Sequence, residues 1–317
     1  MTFGLLFLSS HLVVALVSLV GIGGATRVME AGLACPDWPL CYGSLLPGGR
    51  MNLQVFLEWF HRLDAFLVGV GLLVLFVVSL IQRQHLPRWL PWLSGAALVL
   101  VALQGALGAF TVLQLLRFDL VTAHLATALV LVALLSGIHQ GLVTSLQAPA
   151  QGLIQVQAVA PGHPSAPPWQ APWWLAAAAA AGAVVAQAVT GALMASQWAS
   201  GSCLAAGEAC GWLSLHRQLA SPVAGAVLLL ASTMVLLPGA QRRLWRFAVA
   251  AAALTVLQVL LGVFTLRLAL AVPLVTVGHQ ITAALLVAVL AALAVRGWRS
   301  AAPSPVLNLL PLQTSHG

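Results

Sequence analysis

Four histidines, set out as two matched pairs, are the residues of this chain best suited to chemistry. His61 and His124 are separated by the same length of chain as His216 and His279, and each pair opens with a His-Arg dipeptide (His61-Arg62, His216-Arg217). All four lie in long apolar segments, where an imidazole is costly unless something binds it. Two imidazoles facing each other across a helical bundle can hold one planar iron porphyrin between them. Haem suits the set better than zinc, because a closed zinc site takes more ligands than either pair offers. The repeated histidines therefore point to two haem-sized sites, one per half of the chain. The competing reading is a buried histidine that merely hydrogen-bonds a neighbouring helix. His11, His85, His139, His163 and His316 fall to that class or to loops; repeated spacing and flanking residues set the other four apart.

Chemistry is expected where the duplicated design loses its symmetry. Glu58 lies three residues before His61, on the same helical face, and its counterpart in the second half is Leu213. An acid beside one predicted haem and none beside the other implies unequal sites. Such a carboxyl can accept a proton during oxidation of a bound substrate or compensate ferric charge; the plainer role is an interfacial acid paired with Arg62 or Arg27. Asp64 is also unmatched, with Leu219 opposite, and an arginine would suffice as its partner. The cysteines form two close pairs, Cys35 with Cys41 in a Pro-rich loop and Cys203 with Cys210 in a Gly/Ala-rich one. In an oxidising space such pairs form disulfides. No Cys-x-x-Cys spacing supports zinc, and thiol–disulfide exchange at the first pair is the alternative.

The elements that must position these residues are membrane helices. The chain has 317 residues, 61% hydrophobic and 6% charged, with a mean hydropathy of +1.01, which excludes a soluble domain. Apolar runs long enough to span a bilayer are predicted near 4–23, 63–82, 93–114, 121–144, 173–195, 215–237, 246–266 and 274–295. The first has no basic n-region or cleavage site and is expected to be a retained helix. The net charge of +7 reports topology and not nucleic-acid binding. Arg83, Arg88, Arg242, Arg243, Arg246, Arg296 and Arg299 follow even-numbered helices. Arg27, Arg50, Arg117 and Arg267 follow odd-numbered ones, offset by Glu30, Asp37, Asp119 and Glu208. The positive-inside rule then places both termini in the cytoplasm of a plasma-membrane protein, with the odd loops and all four histidines toward the outside. Register between the halves is visible in Gln104-Gly105-Ala106-Leu107-Gly108-Ala109-Phe110-Thr111 and Gln258-Val259-Leu260-Leu261-Gly262-Val263-Phe264-Thr265. The expected architecture is an all-α integral membrane protein, eight transmembrane helices in two tandem four-helix bundles related by an internal pseudo-two-fold repeat. Residues 1–145 form the first half, 146–172 a Pro/Gln/Ala-rich cytoplasmic linker, 173–300 the second half and 301–317 a tail.

Taken together, the duplicated eight-helix plan, Glu58-x-x-His61-Arg62, the Cys35-Pro36-Asp37-Trp38-Pro39-Leu40-Cys41 loop, His124, His216-Arg217 and His279 resemble the haem A synthase family over roughly residues 5–295. The resemblance implies an enzyme that oxidises the C8 methyl of haem O to a formyl group, making haem A for terminal oxidases. It implies a haem b cofactor ligated by His216 and His279, a haem O substrate near His61 and His124, and Glu58 as essential for turnover. Arg62 and Arg217 are candidate partners for haem propionates or acids. The family's cysteine pairs fall on Cys35–Cys41 and Cys203–Cys210. Haem O synthase and terminal-oxidase assembly factors are the protein partners it suggests, with lipid around the helices and the oligomeric state open. A bis-histidine haem has no free position for O2, so the second site suits electron transfer. The alternative is a non-catalytic di-haem b cytochrome that relays electrons, which ligand spacing alone does not exclude; a haem-inserting protein and a haem-free transporter are remoter still.

Overall fold

The computed structural model describes residues 2–156, 173–195, 210–236 and 244–301. Eight helices carry the described chain: α1 Thr2–Val28, α2 Leu53–Ile81, α3 Leu90–Leu113, α4 Phe118–Val156, α5 Trp173–Ala195, α6 Gly211–Leu236, α7 Trp245–Arg267 and α8 Pro273–Ala301. All eight are long and apolar enough to cross a membrane, and the protein is a multi-pass membrane protein. A helix satisfies every backbone polar group within itself, which hydrocarbon demands. The expected tail lies outside the described residues, as does the linker beyond Val156; α4 continues through the linker's first residues.

Two helices begin well before their apolar runs. α2 starts at Leu53, where the Asn52 side chain accepts a hydrogen bond from the Val55 N–H and caps the helix, so Glu58 and His61 sit inside it. α6 starts at Gly211, a turn before an apolar run that already contained His216. Polar residues in these first turns lower the local hydropathy and hide the helix from an apolar-window count, although a cap and an interfacial position suffice to form it.

The helices divide into an inner and an outer set. The most apolar stretch of α8 is 56% buried and that of α7 only 17%, because α8 packs against α1, α4, α5 and α7. α1 likewise touches α2, α4 and α8, so the two halves share a centre. Leu129, Leu131, Val132 and Leu135 of α4 meet Leu290 and Leu293 of α8 in one fully enclosed core. Ala284, Ala288, Ala291 and Ala292 are buried on α8; small residues let membrane helices approach closely. Ser136 Oγ donates to the Ala288 carbonyl across this contact at 2.6 Å. Ser9 and His139 pair at 2.9 Å between α1 and α4, which makes His139 a packing residue. The outer helices present Phe66, Trp92, Phe110 and Val256 to what is lipid in a membrane.

The same turn joins α3 to α4 and α7 to α8. Leu115 and Leu116 in the first, and Ala269 and Leu270 in the second, have positive φ. The Leu116 N–H donates to the Thr111 carbonyl and the Leu270 N–H to that of Thr265, closing both helices with left-handed caps. The Gly-Phe-Thr segments therefore end helices, and the caps return the chain so that His124 and His279 both stand nearly two turns into the next.

Candidate functional site

The acid that breaks the symmetry is built into the first loop. Cys35 and Cys41 form a disulfide, with Cα atoms 4.7 Å apart. Inside this ring the Asp37 carboxylate accepts from the N–H groups of Tyr42 (2.6 Å) and Gly43 (2.7 Å), both at positive φ. Those bonds, from Gly43 first and then Tyr42, hold its pKa below the ordinary 3.8, because a carboxylate bonded to N–H groups keeps its charge. α2 clamps the loop from below. Arg62 donates to the carbonyls of Asp37 (2.6 Å), Leu40 and Cys35 (3.3 Å) and to Glu58. Glu58 in turn accepts from the Cys35 N–H at 2.7 Å, and Trp59 Nε1 donates to the Leu45 carbonyl at 2.6 Å. Glu58 is 3% exposed, the one buried acid among the described residues. Of the two roles expected for Arg62, it takes the acid partner. Asp64 makes no ion pair among the described residues. The second cysteine pair is half seen: Cys210 is disulfide-bonded, and Cys203 lies outside the described residues.

Each of the four histidines rests against a glycine of the preceding helix. A Cβ added to Gly23 of α1 would lie 2.9 Å from His61 Cε1; one on Gly191 would lie 2.9 Å from His216 Cε1, and one on Gly262 2.9 Å from His279 Cε1. The fourth, on Gly108, would reach 3.4 Å from His124 Cε1. Three of these glycines follow a glutamine by one turn, and that glutamine holds the histidine. Gln104 Nε2 donates to the His124 carbonyl (3.0 Å) and to Thr127. Gln187 Nε2 donates to the His216 carbonyl (2.7 Å) and meets its Nδ1 (3.1 Å), which Thr190 Oγ1 also meets at 2.9 Å. Gln258 Nε2 lies 3.3 Å from His279 Nε2, and the Gln258 carbonyl 3.1 Å from His279 Nδ1. α1 has Leu19 in the corresponding place. Sequence reasoning used Gln104 and Gln258 only as register marks; the Gln-x-x-x-Gly spacing, repeated on α5, was the signal for their role.

The first histidine pair has the separation that a shared iron needs. The ring centroids of His61 and His124 lie 6.4 Å apart with planes at 76°. Two imidazole nitrogens at about 2.0 Å from one metal place the centroids roughly 6 Å apart. Nδ1 of each ring is buried and makes no hydrogen bond of good geometry.

The second pair flanks a cavity of about 370 Å³, within the range of small-molecule sites. His216, His279 and Arg217 line it, with apolar walls from Val184, Val227 and Leu286. Several of the lining residues also carry buried polar atoms without hydrogen-bond partners: Gln187 Oε1, Gln258 Oε1, Thr265 Oγ1, Thr276 Oγ1 and Gln280 Nε2. Buried polar groups are normally satisfied, so the cavity is furnished for an occupant with an apolar body and polar edges. No group of three or more His, Cys, Asp or Glu residues converges among the described residues. A porphyrin, which brings its own equatorial nitrogens and asks the protein only for axial ligands, fits both histidine pairs.

Comparison with known proteins follows from this geometry. The family model COX15-CtaA, described as cytochrome oxidase assembly protein, matches residues 5–55 and 50–291. The Heme A synthase of Caulobacter vibrioides is 31% identical over 344 aligned positions, covering 90% of this chain and 93% of that protein. The Heme A synthase of Shewanella oneidensis is 36% identical over 131 residues, 36% of this chain and 38% of the relative. That of Sphingopyxis alaskensis is 32% identical over 148 residues, 36% and 41% respectively. The chain thus spans well under half the length of the last two relatives and nearly all of the first.

Proposed function

The chain belongs to the COX15-CtaA family of cytochrome oxidase assembly proteins, and on that footing we propose that it is a haem A synthase. It is then an oxidoreductase that converts the C8 methyl of haem O into the formyl group of haem A, for use by terminal oxidases. One observation carries the reading: two imidazole pairs sit on glycines in matching places, but among the described residues only the first has a buried acid one turn along the helix from its leading histidine. The first half, residues 1–145, is the substrate half, and haem O sits near His61 and His124. The second half, residues 173–300, holds haem b between His216 and His279. When bound, haem b supplies one-electron redox chemistry. Haem O arrives from haem O synthase through the shared bilayer, and the excess of arginine after the even-numbered helices supports cytoplasmic termini in a plasma-membrane protein.

The chain's own residues then divide the work. His61 and His124 orient the substrate ring. Glu58, one turn from His61 and the anionic member of its pair with Arg62, accepts protons released as the methyl is oxidised to the formyl group. Arg62 and the Cys35–Cys41 loop link Glu58 to the loop surface and keep bulk water from the ring. Gln187 and Thr190 at His216 Nδ1, and the Gln258 carbonyl at His279 Nδ1, fix the orientation of these rings, as outer partners do for metal-ligating histidines.

The test is chromatography of haems extracted from membranes that contain this chain and a haem O synthase, in a host without haem A. A haem A peak that disappears in Glu58→Ala supports the synthase. Haem b alone, with haem O abundant and the protein folded, makes the chain an electron relay instead.

A further inference from the structure

Arg27 ends α1, the first helix of the substrate half, yet it lines the cavity between His216 and His279 in the other half. Gly24, one turn earlier, packs so closely on Gln280 of α8 that an added Cβ would overlap the Gln280 amide. The side chain of Arg27 is half-buried and makes no ion pair among the described residues. Gln280 Nε2, at the same seam and on the same cavity, has no acceptor. Among the described residues the cavity lining therefore contains two cations, Arg27 and Arg217, an amide with an unused donor, and no acid. An arginine held in low-dielectric surroundings without a counter-charge is costly, so this arrangement asks for an anion.

The counterparts of these groups in the first half are missing or engaged. Arg62, in the place of Arg217, is spent on Glu58 and the loop carbonyls. Counting from Gly191, which stands under His216 as Gly23 stands under His61, the position matching Arg27 is Ala195; that matching Gln280, one residue beyond the second histidine, is Leu125. Among the described residues, Arg27, Arg217 and Gln280 come together on the cavity beside His216 and His279.

We propose that Arg27 is a carboxylate anchor, reaching across the seam from the substrate half to bind an acid side group of the porphyrin held between His216 and His279. The inference rests on the assignment of a porphyrin to that pair. Arg27 and Arg217 together match the two propionates of a porphyrin, and guanidinium forks suit carboxylates well. The first site lacks this grip. One porphyrin is thereby retained as a cofactor, while the other is free to enter as substrate and leave as product.

The test uses the full-length protein in the His61→Ala background, so that only the second site takes up haem. Binding of haem b is compared with binding of its dimethyl ester, whose propionates carry no charge. The unmodified Arg27 protein should bind the ester about tenfold more weakly than the acid, and Arg27→Gln should lose most of that difference. In Arg27→Gln the haem midpoint potential should also fall, since removing a cation favours the ferric form; a tenfold change in relative affinity corresponds to about 59 mV for one electron. Arg27→Lys, which keeps the charge, should restore the potential in large part, an effect that a packing defect would not produce. Equal binding of ester and acid by the protein with Arg27 intact overturns the anchor without recourse to any variant. An unchanged potential in Arg27→Gln overturns it too. If His216→Ala leaves the haem content unaltered, no porphyrin sits between these histidines, and the assignment and the anchor fall together.

Discussion

The glycines beneath the histidines make the sharpest prediction, because their environment is a matter of tenths of an ångström. In Gly262→Ala the new Cβ would lie 2.9 Å from His279 Cε1 and 3.5 Å from Nδ1. Carbon atoms rest at about 3.5–4.0 Å from one another, so the ring must move by more than half an ångström or α7 must shift away from α8. Over-packing of this kind costs about 1–3 kcal/mol. Charged against the haem-binding geometry, that is roughly a five- to 150-fold loss of affinity. Gly191→Ala should behave alike, since its Cβ would also lie 2.9 Å from His216 Cε1. Gly108→Ala, at 3.4 Å from His124 Cε1, should be milder. Gly225→Ala, on α6 with nothing within 4 Å of an added Cβ, is the control for general effects on a membrane helix. The assay is haem content per protein by pyridine haemochrome, with the optical spectrum reporting ligation. Full haem content and an unaltered spectrum in both Gly262→Ala and Gly191→Ala would refute the idea that these glycines set the histidine rings.

Three further outcomes follow from the first loop. Replacing Arg62 by Met leaves Glu58, whose side chain is 4% exposed, as an unpaired buried charge; breaking such a pair costs about 3–5 kcal/mol. The variant should expose the loop to protease and lose haem A formation while His216 and His279 keep their haem, and a loop as resistant as before would count against the clamp. Reducing the Cys35–Cys41 disulfide, which closes a short ring with a sequence separation of 6, should cost the loop about 2 kcal/mol; hydrogen exchange at Tyr42 and Gly43 before and after reduction measures it. Asp37 has a folded-state pKa held below its ordinary 3.8, so its contribution is complete above that value and disappears as the pH falls through the depressed one. The protection of the Tyr42 and Gly43 amides, relative to their intrinsic exchange rates, should fall in acid below about pH 4, and Asp37→Asn should show low protection at every pH.

Much of the molecule was legible in one dimension because a bilayer imposes one-dimensional rules. Every span needs enough apolar residues in a row, and all eight were countable. What the count misjudged was the start of α2, where Glu58, His61 and Arg62 precede the apolar run. There a cap and the polar interface sustain a helix that hydropathy does not advertise. The pairing of Glu58 with Arg62 was also visible as a spacing of one turn. That both side chains are turned on the backbone of a loop more than twenty residues earlier was not, since carbonyl and N–H acceptors and donors are the same at every position and leave no mark on the sequence.

The sequence by itself determined the number of helices, the common end of the membrane to which all four histidines belong, and the acid before His61 that has no counterpart before His216. These follow from residue type, spacing and the up-and-down path of the chain. Only the tertiary structure decided which faces meet. It put glycines under imidazoles, set glutamines against the histidine nitrogens, committed Arg62 to the loop, and sent Arg27 into the cavity of the opposite half. A helix in hydrocarbon carries no hydrophobic preference for one apolar neighbour over another. The rotation of α1 against α8 is fixed by close packing between small side chains, at Gly21 against Ile281 and Gly24 against Gln280, and that fit exists only once both surfaces are in place.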